Sequence, residues 1–180
     1  MDKTPAQDLQ TAPAPVLWLL GKTGAGKTSV IRALTGEGVL GSGWAPGTNA
    51  AALFDFPAMG AAVRFLDTRG LGEAGHDPAP DLAAARGLAD AVLVVMRLDD
   101  PVQHPVAEAL RGLRLPILLV HTGADLIPDL HEREAARLRA EQMIHRVVGK
   151  PLPSVSLGLP AEGLVSGVES LLEALDGFMP

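Results

Sequence analysis

The chain is 180 residues long, 47% hydrophobic and 20% charged, a balance that suits one core-forming domain and excludes a disordered or fibrous protein. Fifteen Lys plus Arg against 21 Asp plus Glu give a net charge of -6, so the overall field repels phosphate backbones and anionic membranes, and any phosphate ligand needs a local site. The lack of cysteine excludes a disulfide framework, a thiolate zinc site and a cysteine nucleophile, and fits a reducing, cytoplasmic setting.

Residues 1–14, with Asp2, Lys3, Asp8 and Gln10 among prolines, have no apolar run of the kind a secretory signal needs and are expected to form a flexible leader to a domain over 15–180. Strands are expected at 16–20, 51–56, 62–66, 91–96, 117–121 and 154–156, each bounded by Gly, Pro or Asp. Helices are expected at 27–34, 81–87, 105–113, 130–148 and 165–178, the last with a core-facing stripe of Val165, Val168, Leu171, Leu172, Leu175 and Phe178. The alternation predicts an α/β three-layer fold around a mostly parallel six-stranded sheet, with about five helices. The short loop at 57–60 permits the second and third strands to pair antiparallel. The apolar runs are far shorter than the roughly 18 residues of a membrane helix. Four Phe, two Trp and no Tyr leave little with which to stack single-stranded bases. Neither nucleic-acid nor membrane contact is evident within the chain.

The segment Gly21-Lys22-Thr23-Gly24-Ala25-Gly26-Lys27-Thr28 matches G-x-x-x-x-G-K-[ST] between an apolar strand and a helical pattern, the setting of a phosphate-binding loop. Its glycines let backbone N–H groups turn toward a phosphate, Lys27 neutralises the outer phosphates, and Thr28 presents a hydroxyl to Mg2+. The expected cradle is Lys22, Thr23, Gly24, Ala25, Gly26, Lys27, Thr28 and Ser29, with the Lys22 ammonium left to solvent. The alternative is a glycine-rich turn that merely caps a helix.

Further along stand Thr48 in Pro46-Gly47-Thr48, Asp67-Thr68-Arg69-Gly70, Thr122-Gly123-Ala124-Asp125 and Val155-Ser156-Leu157. In this order the motifs resemble the translation-factor-related small P-loop GTPases, with Era/TrmE-like GTPase domains the nearest match. The phosphate-loop wording is also similar to septin-like and immunity-associated GTPases. The resemblance implies a GTP/GDP-binding switch with Mg2+ as cofactor. It implies that Thr48 closes on Mg2+ and the γ-phosphate, that Asp67 holds Mg2+ through water, and that Gly70 offers its N–H to the γ-phosphate. The loops at 35–50 and 68–80 become the two switches. Asp125 reads guanine N1–H and the 2-amino group, and Ser156 and Leu157 add backbone contacts to the base. Read without the resemblance, Thr48 is an ordinary loop residue, and Asp67 and Asp125 are turn or cap formers.

Three departures bear on mechanism. Thr122 and Gly123 stand where the guanine motif N-K-x-D has Asn and Lys, so guanine preference with weakened base affinity is expected. Leu71 follows D-T-R-G where many relatives carry a water-positioning Gln, so hydrolysis is expected to be slow unless Glu73, His76 or a partner intervenes. Gly24 stands where potassium-activated relatives have Asn, so no strong potassium stimulation is expected. Arg69 is either a charge stabiliser or a solvated, partner-facing cation, and Trp44 either a partner contact or folded back on the domain. His121 could stack on the base or be a surface residue. Asp99, Asp100 and His104 read as turn chemistry. Glu132, Arg133, Glu134, Arg137, Arg139 and Glu141 read as a solvated, salt-bridged helix face. The chain stops straight after its last helix, as a piece of a longer protein would. Homodimerisation across the nucleotide face is an option by likeness to septin-like domains. The rival functions are a nucleotide-dependent interaction module with little turnover and an ATP-using P-loop enzyme.

Overall fold

A computed structural model describes residues 13–35, 51–57, 59–161 and 164–178. The chain order is β1 (Val16–Leu20), α1 (Lys27–Thr35), β2 (Ala52–Phe56), β3 (Val63–Asp67), α2 (Ala79–Leu88), β4 (Ala91–Arg97), α3 (His104–Leu110), β5 (Ile117–Thr122), α4 (Leu130–Val148), β6 (Ser154–Ser156) and α5 (Val168–Asp176), with a 3-10 turn at Ala124–Leu126. The six strands form one sheet in the order β2-β3-β1-β4-β5-β6. All pairings are parallel except β2 with β3, a hairpin that sets Ala52 against Asp67 and Phe56 against Val63.

Successive side chains of a strand point to opposite faces, and here both faces are covered, so β1, β4 and β5 read as unbroken apolar runs. Trp18, Leu20, Val92, Val94, Met96 and Leu119 pack with Leu110 of α3 and Ile144 of α4. Leu17, Leu19, Leu93, Val95, Leu118 and Val120 pack with Val30 and Ile31 of α1 and with Leu171 and Leu175 of α5. The result is the expected three-layer α/β fold, with β1, β4 and β5 buried from both sides.

Helix ends follow local chemistry. Asp129 caps α4 by accepting the Glu132 N–H at 2.8 Å, and Gly149 ends that helix in the left-handed region at φ 81°. α5 is shorter than its apolar stripe suggests: it begins at Val168 because Gly167 has φ 83°. Val165 and Leu172 of that stripe are 45% and 46% exposed, while Leu171 and Leu175 are buried, so the core face is narrower than the sequence pattern. Among the described residues no helix is long and apolar enough to cross a membrane. The leader through residue 12, and the first expected switch loop from residue 36 onward with Trp44 and Thr48, lie outside the described residues.

Candidate functional site

The site forms at the carboxyl ends of β1, β3, β4 and β5, where an open parallel sheet leaves a crevice. The phosphate loop runs from β1 into α1. Among the described residues no group accepts from the N–H groups of Gly24, Gly26, Lys27, Thr28 or Ser29, the orphan donors of a helix start. Lys27 is buried, and among the described residues its ammonium reaches only the carbonyls of Gly21 and Lys22, at 3.4 Å each. Burial pulls its pKa below the usual lysine range, against an upward push from Asp67. A buried cation with two long contacts suits an incoming anion.

Thr23, Gly24, Gly26, Lys27, Thr28 and Ser29 line a cleft of about 490 Å³ opposite Asp67, Thr68, Gly70 and Glu73. The Thr28 hydroxyl donates to Asp67 Oδ2 at 2.6 Å. Asp67 Oδ1 is buried without a hydrogen-bond partner among the described residues. A hydroxyl beside a carboxylate with a buried, unsatisfied oxygen fits Mg2+, which takes one or two protein oxygens and completes its shell with phosphate and water.

The D-T-R-G segment is stitched to the phosphate loop. Leu71 donates its N–H to the Gly21 carbonyl at 3.0 Å and accepts from the Thr23 N–H at 3.1 Å, making a parallel bridge between Lys22 and Leu71. Gly70 is required there, since a Cβ would stand 2.3 Å from the Thr23 backbone. The Leu71 side chain is 4% exposed and belongs to the apolar core. Glu73 lines the cleft, whereas His76 pairs with Asp81 at 2.9 Å. Beneath the segment, the fully buried Trp18 donates its indole N–H to the Thr68 hydroxyl at 3.1 Å.

A second cleft, of about 360 Å³, continues along the phosphate loop and is lined by Thr122, Gly123, Asp125, Leu126 and Arg97 among others. The Thr122 hydroxyl donates to the Ala25 carbonyl at 2.6 Å. Asp125 Oδ1 accepts the Leu159 N–H at 3.1 Å, which leaves Oδ2 and a lone pair of Oδ1 for a ligand.

Several expected positions fall elsewhere. Lys22 is half-buried rather than left to solvent: its ammonium is held by Asp100 Oδ2 at 2.5 Å and the Val102 carbonyl at 2.9 Å, so Asp100 does more than shape a turn. Ser156 and Leu157 line neither cleft. Leu157 is fully buried, its N–H donates to the His121 carbonyl at 2.7 Å, and its carbonyl accepts from Ala124 at 3.3 Å. Leu159 and Ala161 line the second cleft instead. His121 is neither stacked nor on the surface: it is fully buried, with Nε2 3.3 Å from Glu141 Oε1. Glu141 is itself buried, so that turn of α4 is not a solvated face.

The model of the 50S ribosome-binding GTPase family matches residues 16–122. The chain belongs to this GTPase family. No curated protein matches the chain significantly. Among the many solved structures that share the fold of this G domain are the following three. A bacterial selenocysteine-specific elongation factor, EF-Sec, is 16% identical with a TM-score of 0.71, and the match covers 93% of this chain and 29% of that one. The G domain of the FeoB iron transporter of T. maritima is 24% identical with a TM-score of 0.62, covering 93% and 99%. A dimerisation-deficient mutant of Toc33 from Arabidopsis thaliana is 23% identical with a TM-score of 0.65, covering 84% and 73%. This G domain thus spans under a third of the elongation factor's length.

Leu159 and Arg97 line the second cleft although no motif marks them in the sequence. The signal for Arg97 was a cation closing an apolar strand at the carboxyl edge of a parallel sheet.

Proposed function

We propose that the chain is a Mg2+-dependent GTP-binding switch of Era/TrmE-like type that hydrolyses GTP slowly. The observation that carries this reading is the continuity of the two clefts: Gly24, Gly26 and Ser29 line both. A ligand with a polyphosphate at one end and a base at the other spans them along the phosphate loop. Lys27 and the free N–H groups bind the phosphates electrostatically. Thr28 and Asp67, with Thr48 from the first switch, would hold Mg2+, whose charge would offset that developing on the phosphate oxygens. Gly70 turns its N–H toward the γ-phosphate as the second switch closes. Asp125 accepts from N1–H and the 2-amino group, donors that guanine has and adenine lacks.

Water attacks the γ-phosphorus in line as its bond to the β,γ-bridging oxygen breaks, releasing GDP and phosphate, and the chain contributes positioning more than proton transfer. Leu71 is buried in the core and has no group with which to orient water, so Glu73, at the cleft, takes that role weakly. The same burial favours a second reading, a nucleotide-dependent interaction module with little turnover.

The test is the melting temperature with Mg2+ and excess GDP, GTP, ADP or ATP on nucleotide-stripped protein. A ligand at about one hundred times its Kd adds about 2.7 kcal/mol, several degrees for this size. Shifts with guanine nucleotides alone are expected. Equal shifts with adenine nucleotides would transfer the reading to an ATP-using P-loop protein. Phosphate release no faster than from Lys27→Ala would select the interaction module.

A further inference from the structure

The second cleft has an unusual wall. Gly123 sits in the left-handed region at φ 72° and offers no side chain, so nothing from that position can lie over a base. The gap is not empty. Arg97 ends β4 in register with Thr122 at the end of β5, and its side chain lines the same cleft as Gly123 and Asp125. Asp99 grips the guanidinium along one edge, Nε to Oδ1 at 2.8 Å and Nη2 to Oδ2 at 2.6 Å. The same Asp99 Oδ1 lies 3.4 Å from where a Cβ on Gly123 would stand, so the ion pair occupies the space beside the missing side chain.

The geometry of the grip decides what Arg97 can do. A fork held through Nε and Nη2 orients the guanidinium plane, leaves Nη1 without a partner among the described residues, and spends none of the flat faces on the carboxylate. A planar cation held in this way stacks on a purine with little ordering cost. We propose that Arg97, oriented by Asp99, is the base-covering group of this nucleotide site and takes the place of the side chain that Gly123 lacks. The inference rests on the guanine-nucleotide reading of the cleft. Arg97 touches the base; Asp99 is a positioning residue that acts through it.

The test separates base from phosphate. Affinities for Mg2+-GDP and for Mg2+-tripolyphosphate, which has no base, are measured by calorimetry on wild type, Arg97→Ala, Arg97→Lys and Asp99→Asn, each confirmed to melt cooperatively. Arg97→Ala is expected to weaken GDP about tenfold and to leave tripolyphosphate unchanged. Asp99→Asn weakens GDP less, again without touching tripolyphosphate. Arg97→Lys restores charge but not the held plane, and recovers only part of the loss. Unchanged GDP affinity in Arg97→Ala overturns the proposal, and so does an equal loss for both ligands, which would make Arg97 a general electrostatic or structural group. Wild-type protein that binds tripolyphosphate but not GDP overturns the guanine-nucleotide reading itself, and the base-covering role with it.

Discussion

At the scale of single residues, Thr122 shows how a departure from a motif can keep part of its work. Its hydroxyl ties the end of β5 to the Ala25 carbonyl in the phosphate loop, which holds the second cleft against the first. Thr122→Val keeps the shape, loses the donor and leaves that carbonyl without its partner, at a cost of about 1–3 kcal/mol. Urea unfolding should show this loss, and GDP affinity should fall with it; full stability in Thr122→Val would mean that the tether contributes nothing. The sequence showed a Thr at the right spacing, but a donor reaching across 97 positions is legible only once β5 lies near the loop. Lys22 was illegible for the same reason: its partner Asp100 comes from the segment after β4, and a cation in a glycine-rich run reads as solvated until that segment is in place. The pairing of Thr28 with Asp67 was legible because the motif sets a hydroxyl at the start of α1 and the end of β3 sets a carboxylate opposite it, 2.6 Å away.

Among elements, the contact between β5 and α4 carries a buried polar pair that periodicity hid. The α4 stretch is rich in Glu and Arg, which reads as a wet face, yet Glu141 turns inward to His121 while also accepting from Arg137 at 2.7 Å. Burial holds the His121 pKa below its ordinary 6.5, outweighing the upward pull of Glu141. His121 Nδ1 has no partner among the described residues, so a second ring proton would have no acceptor. The sign follows: the unfolded chain takes up a proton on His121 first, so this contribution is complete above about pH 6.5 and declines as pH falls toward the native pKa. Burial pushes Glu141 up, but the Ser154 hydroxyl and Arg137 hold it below its usual 4.5, and its contribution fades only in that lower window. The melting temperature should drop between about pH 7.5 and about pH 5.5, and His121→Gln should flatten that drop. An identical slope in the variant would assign the acid sensitivity elsewhere.

For the molecule as a whole, the fold was legible because burial of β1, β4 and β5 on both faces writes itself as continuous apolar runs, and the hairpin as a short loop between two half-buried strands broken by Asp55 and Arg64. The second cleft was less legible, since parallel register, not local sequence, brings Arg97 beside Thr122 and Asp125. The two apolar clusters lie on opposite faces of the same strands, so they cannot unfold separately. Leu93→Ala, on the α1/α5 face, should cost about 2–5 kcal/mol and move the urea midpoint without changing its slope. Probes on either face should report one transition; two separated transitions would show that the layers are independent.

The bond from Trp18 to Thr68 makes the chain its own optical instrument. Only two tryptophans are present, so Trp44→Phe leaves a single emitter, sealed from water and bonded to the residue that follows Asp67. A change in its emission on adding ligand reads the root of the 68–80 segment directly, with no dye attached and no label near the nucleotide.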